Sequence, residues 1–172
     1  MKKAFLFLLM IWMIAGCSND TVITPLYEGR NLKIGVIGDA PDVREEHITF
    51  NPITFDEMAQ GKQGLARFDA VFIMKEHHHE AAESPYAKVY RTAGIPFFYI
   101  ESEKSHIPFV HEDIAYDDAD DFNSGDFAAG YYQTGRYNGQ GWSFGLYNGK
   151  KNKPNVLGAY TQIFITIESL KP

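Results

Sequence analysis

Phe68-Asp69-Ala70-Val71-Phe72-Ile73-Met74 is followed, across a polar stretch, by Ile95-Pro96-Phe97-Phe98-Tyr99-Ile100. Both runs are short, apolar and rich in β-branched or aromatic residues, the pattern of a strand buried on both faces. Between them Tyr86, Val89, Tyr90 and Ala93 recur at i, i+3, i+4 and i+7, which is one face of a helix. Ser84 as cap and Pro85 at the first helical position open that helix, and Gly94 closes it. A strand, a helix and a strand in this order form a crossover unit, which places parallel strands in a helix-covered sheet.

The same grammar extends upstream. Leu32, Ile34, Val36 and Ile37 make another apolar run, closed by Gly38 and the turn Asp39-Ala40-Pro41-Asp42. Pro41 keeps Ala40 out of helical space, so the chain leaves this strand through a loop. Residues 47–54 read as a strand carrying Ile48, Phe50 and Ile53. Thr54 and Glu57 are spaced as a capping box, so a short helix follows, weakened by Gly61 and Gly64. The order is strand, strand, helix, strand, helix, strand. It predicts an α/β fold with a mostly parallel sheet and flanking helices.

Downstream the character changes. Glu112, Asp113, Asp117, Asp118, Asp120 and Asp121 crowd one segment, but Ala119 and Phe122 fall where a calcium loop would place ligands. Then come aromatics punctuated by glycine. Asn138-Gly139 signals a hairpin turn, and Trp142, Phe144 and Leu146 alternate as a half-buried strand does. Their rings either fill the core of a small sheet or offer stacking surfaces to sugars. Residues 150–154 read as a basic polar loop. In residues 156–170, Val156, Tyr160, Ile163 and Ile167 share a helical face, although 163–167 is also dense in β-branched residues; length favours a helix. No internal repeat is present. The expectation is one α/β domain over residues 32–172 with an aromatic, glycine-rich C-terminal hairpin extension.

The first residues carry a different message. Lys2 and Lys3 precede an uncharged stretch, residues 4–15, too short for a spanning helix. Ile14-Ala15-Gly16-Cys17 resembles the lipobox of bacterial lipoprotein signal peptides. The resemblance implies cleavage after Gly16, removal of residues 1–16 and a diacylglycerol thioether on Cys17. It also implies attachment to the cell membrane on the extracytoplasmic face, as a lipoprotein. Cys17 is the one cysteine of the chain, so no internal disulfide can form. Residues 17–31 then read as the lipidated cysteine and a tether. The net charge of −6 becomes −8 once Lys2 and Lys3 are removed. Such a chain lacks the basic footprint of a nucleic-acid binder and has no electrostatic pull toward anionic lipid.

Candidate chemistry gathers where parallel strands end, the edge at which α/β sheets bind ligands. Asp39 and Asp42 follow the first strand, Glu76, His77, His78 and His79 the third, and Glu101 and Glu103 the fourth. Carboxylates and imidazoles together suit a divalent metal, yet consecutive histidines point in different directions, so no cofactor is assigned. No phosphate-loop spacing surrounds Gly35 and Gly38, and no nucleophile elbow is present. Ser102, Ser105 and His106 are neighbours in sequence without a triad pattern. The strands around Ala70-Val71-Phe72-Ile73 and Gly94-Ile95-Pro96-Phe97-Phe98 are similar to those in one lobe of lipid-anchored solute-binding proteins. That is a likeness of fold, and the chain as a whole resembles small bacterial envelope lipoproteins. Together these features imply a binding or interaction module of the cell envelope, held by its lipid and facing an envelope protein or wall polymer. Two alternatives stand beside it: a metal-dependent envelope enzyme using the strand-end rim, and a structural partner of a membrane complex. The balance leans away from an enzyme.

Overall fold

The four residues of strand β3 (Ala70–Ile73) are all buried, and their side chains alternate between two cores. Val71 and Ile73 face one core, Ala70 and Phe72 the other, as the two-residue period of a strand requires. This computed structural model describes residues 20–121 and 126–170. Cys17, Gly16 and the signal-peptide reading therefore lie outside the described residues, as does Phe122.

β3 sits inside a six-stranded sheet together with β1 (Leu32–Ile37), β2 (Ile48–Pro52), β4 (Phe97–Ile100), β5 (Asp126–Gln133) and β6 (Gly139–Gly145). The spatial order is β2-β1-β3-β4-β5-β6. Neighbours from β2 to β4 run parallel; β4–β5 and β5–β6 run antiparallel. The sheet is thus mixed, and the expectation of a mostly parallel sheet is corrected. The reason is the connection after β4. A parallel partner requires a crossover that carries the chain back to the other end of the sheet. Between β4 and β5 the one α-helix among the described residues is α5 (Ile107–Val110), a single turn. The aromatic, glycine-rich hairpin is correspondingly no appendage, because its two strands complete the main sheet.

One face of the sheet is covered by α1 (Phe55–Ala59), α2 (Lys62–Leu65), α3 (His78–Ala81), α4 (Ser84–Thr92) and α5. Met58, Leu65, Ala81, Tyr90 and Phe109 pack there against Val71, Ile73, Phe97 and Tyr99. The Thr54–Glu57 capping box forms in both directions. Gly61, at φ +60, separates α1 from α2. In α4, Ser84 is already helical and Glu83 takes the cap position, a one-residue correction. Gly94 follows α4 with φ +77, the left-handed conformation that ends helices.

The opposite face is covered by α6 (Lys153–Ser169). Tyr160, Ile163, Phe164 and Ile167 are buried against Leu32, Ile34, Phe72 and Phe98. Each such ring or branched side chain contributes on the order of 2 kcal/mol through burial. Helix α6 begins earlier than its apolar face suggests: Asn152 caps it by accepting from the Asn155 amide, with Pro154 in the first turn.

Residues 20–31, read as tether, do not hang free. Val22 N–H donates to Asn155, and Asn152 and Asn155 both donate to the Asp20 carbonyl. Tyr27 is buried against Phe164 and stacked on His47. Arg30 pairs with Asp69 at 3.0 Å. The segment is a strap laid along α6, so the folded body begins well before Leu32.

Candidate functional site

Strands β1, β3 and β4 are adjacent and parallel, so their carboxyl ends share one edge. From β1 the chain moves to β2; from β3 it moves the other way, to β4. Such a reversal opens a crevice beyond the strand ends. Gly38 stands at this point with φ +104. A Cβ there would lie 2.7 Å from the Glu76 carboxylate and 2.8 Å from the Met74 side chain. Only glycine lets the end of β1 pass beneath them.

The crevice opens into a cleft of about 550 Å³ between the β1 loop, the ends of β3 and β4, and the start of α6. Asp39, Asp42 and Glu101, all named from sequence, line it together. Glu76 and His79 line an adjoining hollow of about 490 Å³, which shares Met74 and Glu101 with the cleft. His77 turns aside: its ring lies edge-on to Phe55, with Nε2 3.9 Å from Glu76. His79 approaches Asp117 at 3.7 Å. Among the described residues no group of three His, Cys, Asp or Glu side chains is placed to hold a metal ion.

Two lysines and a tyrosine that sequence reading passed over complete the cleft. Lys151 Nζ lies 2.6 Å from Glu101 and Lys153 Nζ 3.0 Å from Asp42. Both pairs bridge from the start of α6 to the strand ends. Lys153–Asp42 is largely exposed and Lys151–Glu101 partly so, with Glu101 32 % exposed, so each is worth about 1 kcal/mol and exchanges readily. Tyr160, 4 % exposed, also lines the cleft. Burial, reinforced by the Glu101 carboxylate, pushes its hydroxyl well up, so it stays protonated. The signal for this half of the site was the Asn152-Lys153-Pro154 helix start, a cap followed at once by proline.

Glu101 itself has φ +57, an uncommon conformation for a residue with a side chain and one that costs about 1–2 kcal/mol. It turns the chain sharply at the end of β4 and presents its carboxylate to both hollows. Ser102 and Ser105 are occupied locally. Ser102 Oγ donates to the Lys104 carbonyl and Ser105 Oγ accepts from the Ile107 amide. His106 lies stacked on Tyr131. No nucleophile–base pair arises from them.

The middle histidine, His78, is buried instead. Its Nε2 lies 3.1 Å from the Ile73 carbonyl, which can only accept, so Nε2 carries the proton. Nδ1 then accepts from the Tyr116 hydroxyl at 3.4 Å. Burial pushes its pKa down to about 4, so it is a neutral part of the core at pH 7.

The remaining candidates resolve as structure. Trp142 stacks over Phe98, and Phe127, Tyr131 and Phe144 are buried, so these aromatics fill core. Lys104 pairs with Asp121 and donates to the Ala119 carbonyl, which ties down the end of the acidic run. A second hollow of about 580 Å³, between β6, the strap and α6, holds no charged side chain. No protein-family model matches the chain, and no curated protein or solved structure matches it either.

Proposed function

We propose that this chain is a lipid-anchored binding module on the extracytoplasmic face of a bacterial cell membrane, and that its ligand enters the strand-end cleft. The observation that carries the ligand site is the pair of exchangeable salt bridges across it, Lys151–Glu101 and Lys153–Asp42. They span a cleft at a strand-order reversal, and one of them ends on Glu101, whose backbone is strained. Weak exposed pairs are displaced by a ligand at small cost, whereas a built metal centre or catalytic triad is not what these residues assemble. The anchor rests on the lipobox-like residues Ile14-Ala15-Gly16-Cys17 and on a charge that gives the body no attraction to lipid of its own.

Both halves are testable. Cells making the native chain incorporate labelled palmitate into it, and Cys17→Ser abolishes the label and releases the protein from membranes. Retention of the variant on membranes, with no label in the native chain, sinks the anchor. For the cleft, lysine acetylation is followed residue by residue by mass spectrometry. Envelope extract slows modification of Lys151 and Lys153 relative to exposed Lys62 and Lys88. Equal rates with and without extract remove the cleft as the binding site.

A further inference from the structure

The charges around the cleft are sorted by wall. The strand-end wall carries acids: Asp39 and Asp42 on the loop after β1, and Glu101 after β4. The helix wall carries Lys151 and Lys153, at the N-terminus of the seventeen-residue α6, where backbone N–H groups add positive character. In the free protein each lysine reaches across and neutralises one acid. A ligand carrying only an anion takes the lysines and leaves Asp42 and Glu101 bare; one carrying only a cation leaves the lysines bare. A ligand with both charges matches both walls at once, and the one acid it leaves unpaired, Asp42, is 82 % exposed and goes to water at little cost.

Two groups in the cleft have no such partner in the free protein. Asp39 forms no ion pair and the Tyr160 hydroxyl no hydrogen bond among the described residues; Tyr160 is 4 % exposed as a residue, but its oxygen is not sealed off and opens to the cleft it lines. An open hydroxyl at the floor of a cleft, on a side chain otherwise fixed in the core, offers a pre-positioned hydrogen bond to whatever enters. A third acid beyond the two paired ones gives an incoming cation a carboxylate that no lysine contests. The wall between these groups is apolar, with Pro41, Met74, Val156 and Leu157.

We propose that the cleft binds a small zwitterion, with its ammonium on the Asp39–Glu101 wall, its acidic group on Lys151 and Lys153, and a hydrogen bond from Tyr160. This rests on the cleft being the ligand site. The chemistry is shared by free amino acids and by the head groups of zwitterionic phospholipids, and the test separates them.

The full-length protein, purified in detergent, is titrated calorimetrically at pH 7 with leucine, N-acetylleucine, leucinamide and phosphoethanolamine. Leucine or phosphoethanolamine binds at least about tenfold tighter than N-acetylleucine and leucinamide, each of which leaves one wall unmatched. Leucine as the tighter ligand identifies a free amino acid, phosphoethanolamine a head group. Tyr160→Phe, which breaks no hydrogen bond within the described protein, keeps the melting temperature and weakens the zwitterion about two- to tenfold. Single-charge ligands that bind as well as zwitterions, no binding by either zwitterion, or a Tyr160→Phe variant of unchanged affinity overturns the proposal. If envelope extract still protects Lys151 and Lys153 in that case, the cleft remains a binding site and only the ligand class falls.

Discussion

His78 shows how much one position decides. Three identical side chains follow one another, and helical geometry turns the middle one inward beneath Phe109 and Tyr99. Its folded pKa of about 4 lies below the ordinary value near 6.5, so the neutral form is the one that folding favours. The stability contributed by this neutrality is complete above about pH 6.5 and is lost as pH falls toward 4, because the unfolded chain takes up the proton first. Urea denaturation at pH 7 and pH 5 therefore shows a loss of about 2 kcal/mol at the lower pH. His78→Gln, which keeps a donor for the Ile73 carbonyl, removes most of that difference. A native chain equally stable at both values refutes the assignment. That His78 rather than His77 or His79 would be buried was not legible in the sequence, since the phase of a one-turn helix depends on the 3-10 turn of Lys75–His77 before it. Tyr160 was legible as an apolar-face residue but not as a cleft residue, because the cleft it lines is completed by Asp39, Asp42 and Glu101, which lie far away in sequence.

At the scale of elements, local signals gave the elements, with shifts of a residue or so at the Ser84 cap and at the hairpin turn. The Thr54–Glu57 cap and the apolar runs of β1, β3 and β4 form as their residues dictate. A hairpin also forms near Asn138-Gly139, but its turn is the five-residue loop 134–138, closed by the Thr134 and Gly135 amides donating to the Asn138 carbonyl, with Gly139 already in β6 opposite Gln133. What residue pattern does not encode is strand direction: Phe127, Ala129 and Tyr131 would look the same in a parallel strand. Nor does it encode the docking of residues 20–31, which depends on partners more than a hundred residues away. The buried carboxylate of Glu45 organises that docking. It accepts from the Tyr27 and Arg44 amides and from the Thr161 hydroxyl, joining strap, loop and α6. Glu45→Ala strands these donors and costs about 3 kcal/mol, read as a lower denaturation midpoint. An unchanged midpoint would show that the strap contributes nothing to stability.

Across the whole molecule, the sheet ends on β6, whose residues Gly139–Gly145 include no charge and no proline. Such an edge has little to discourage another strand from pairing with it. Light scattering at rising concentration is expected to show self-association, and Ser143→Lys, an exposed position on this strand, reduces it. Equal scattering from both proteins removes β6 as the contact. The strap has a consequence of its own. Asp20 is already fastened to the first turn of α6, beside the lysines of the cleft. From Cys17 to Asp20 the backbone spans at most about 10 Å, whatever path it takes. With an acylated Cys17, the protein would ride low on the bilayer like a moored hull, its mouth close to the lipid surface, sampling what lies along that surface before what drifts in the open space beyond.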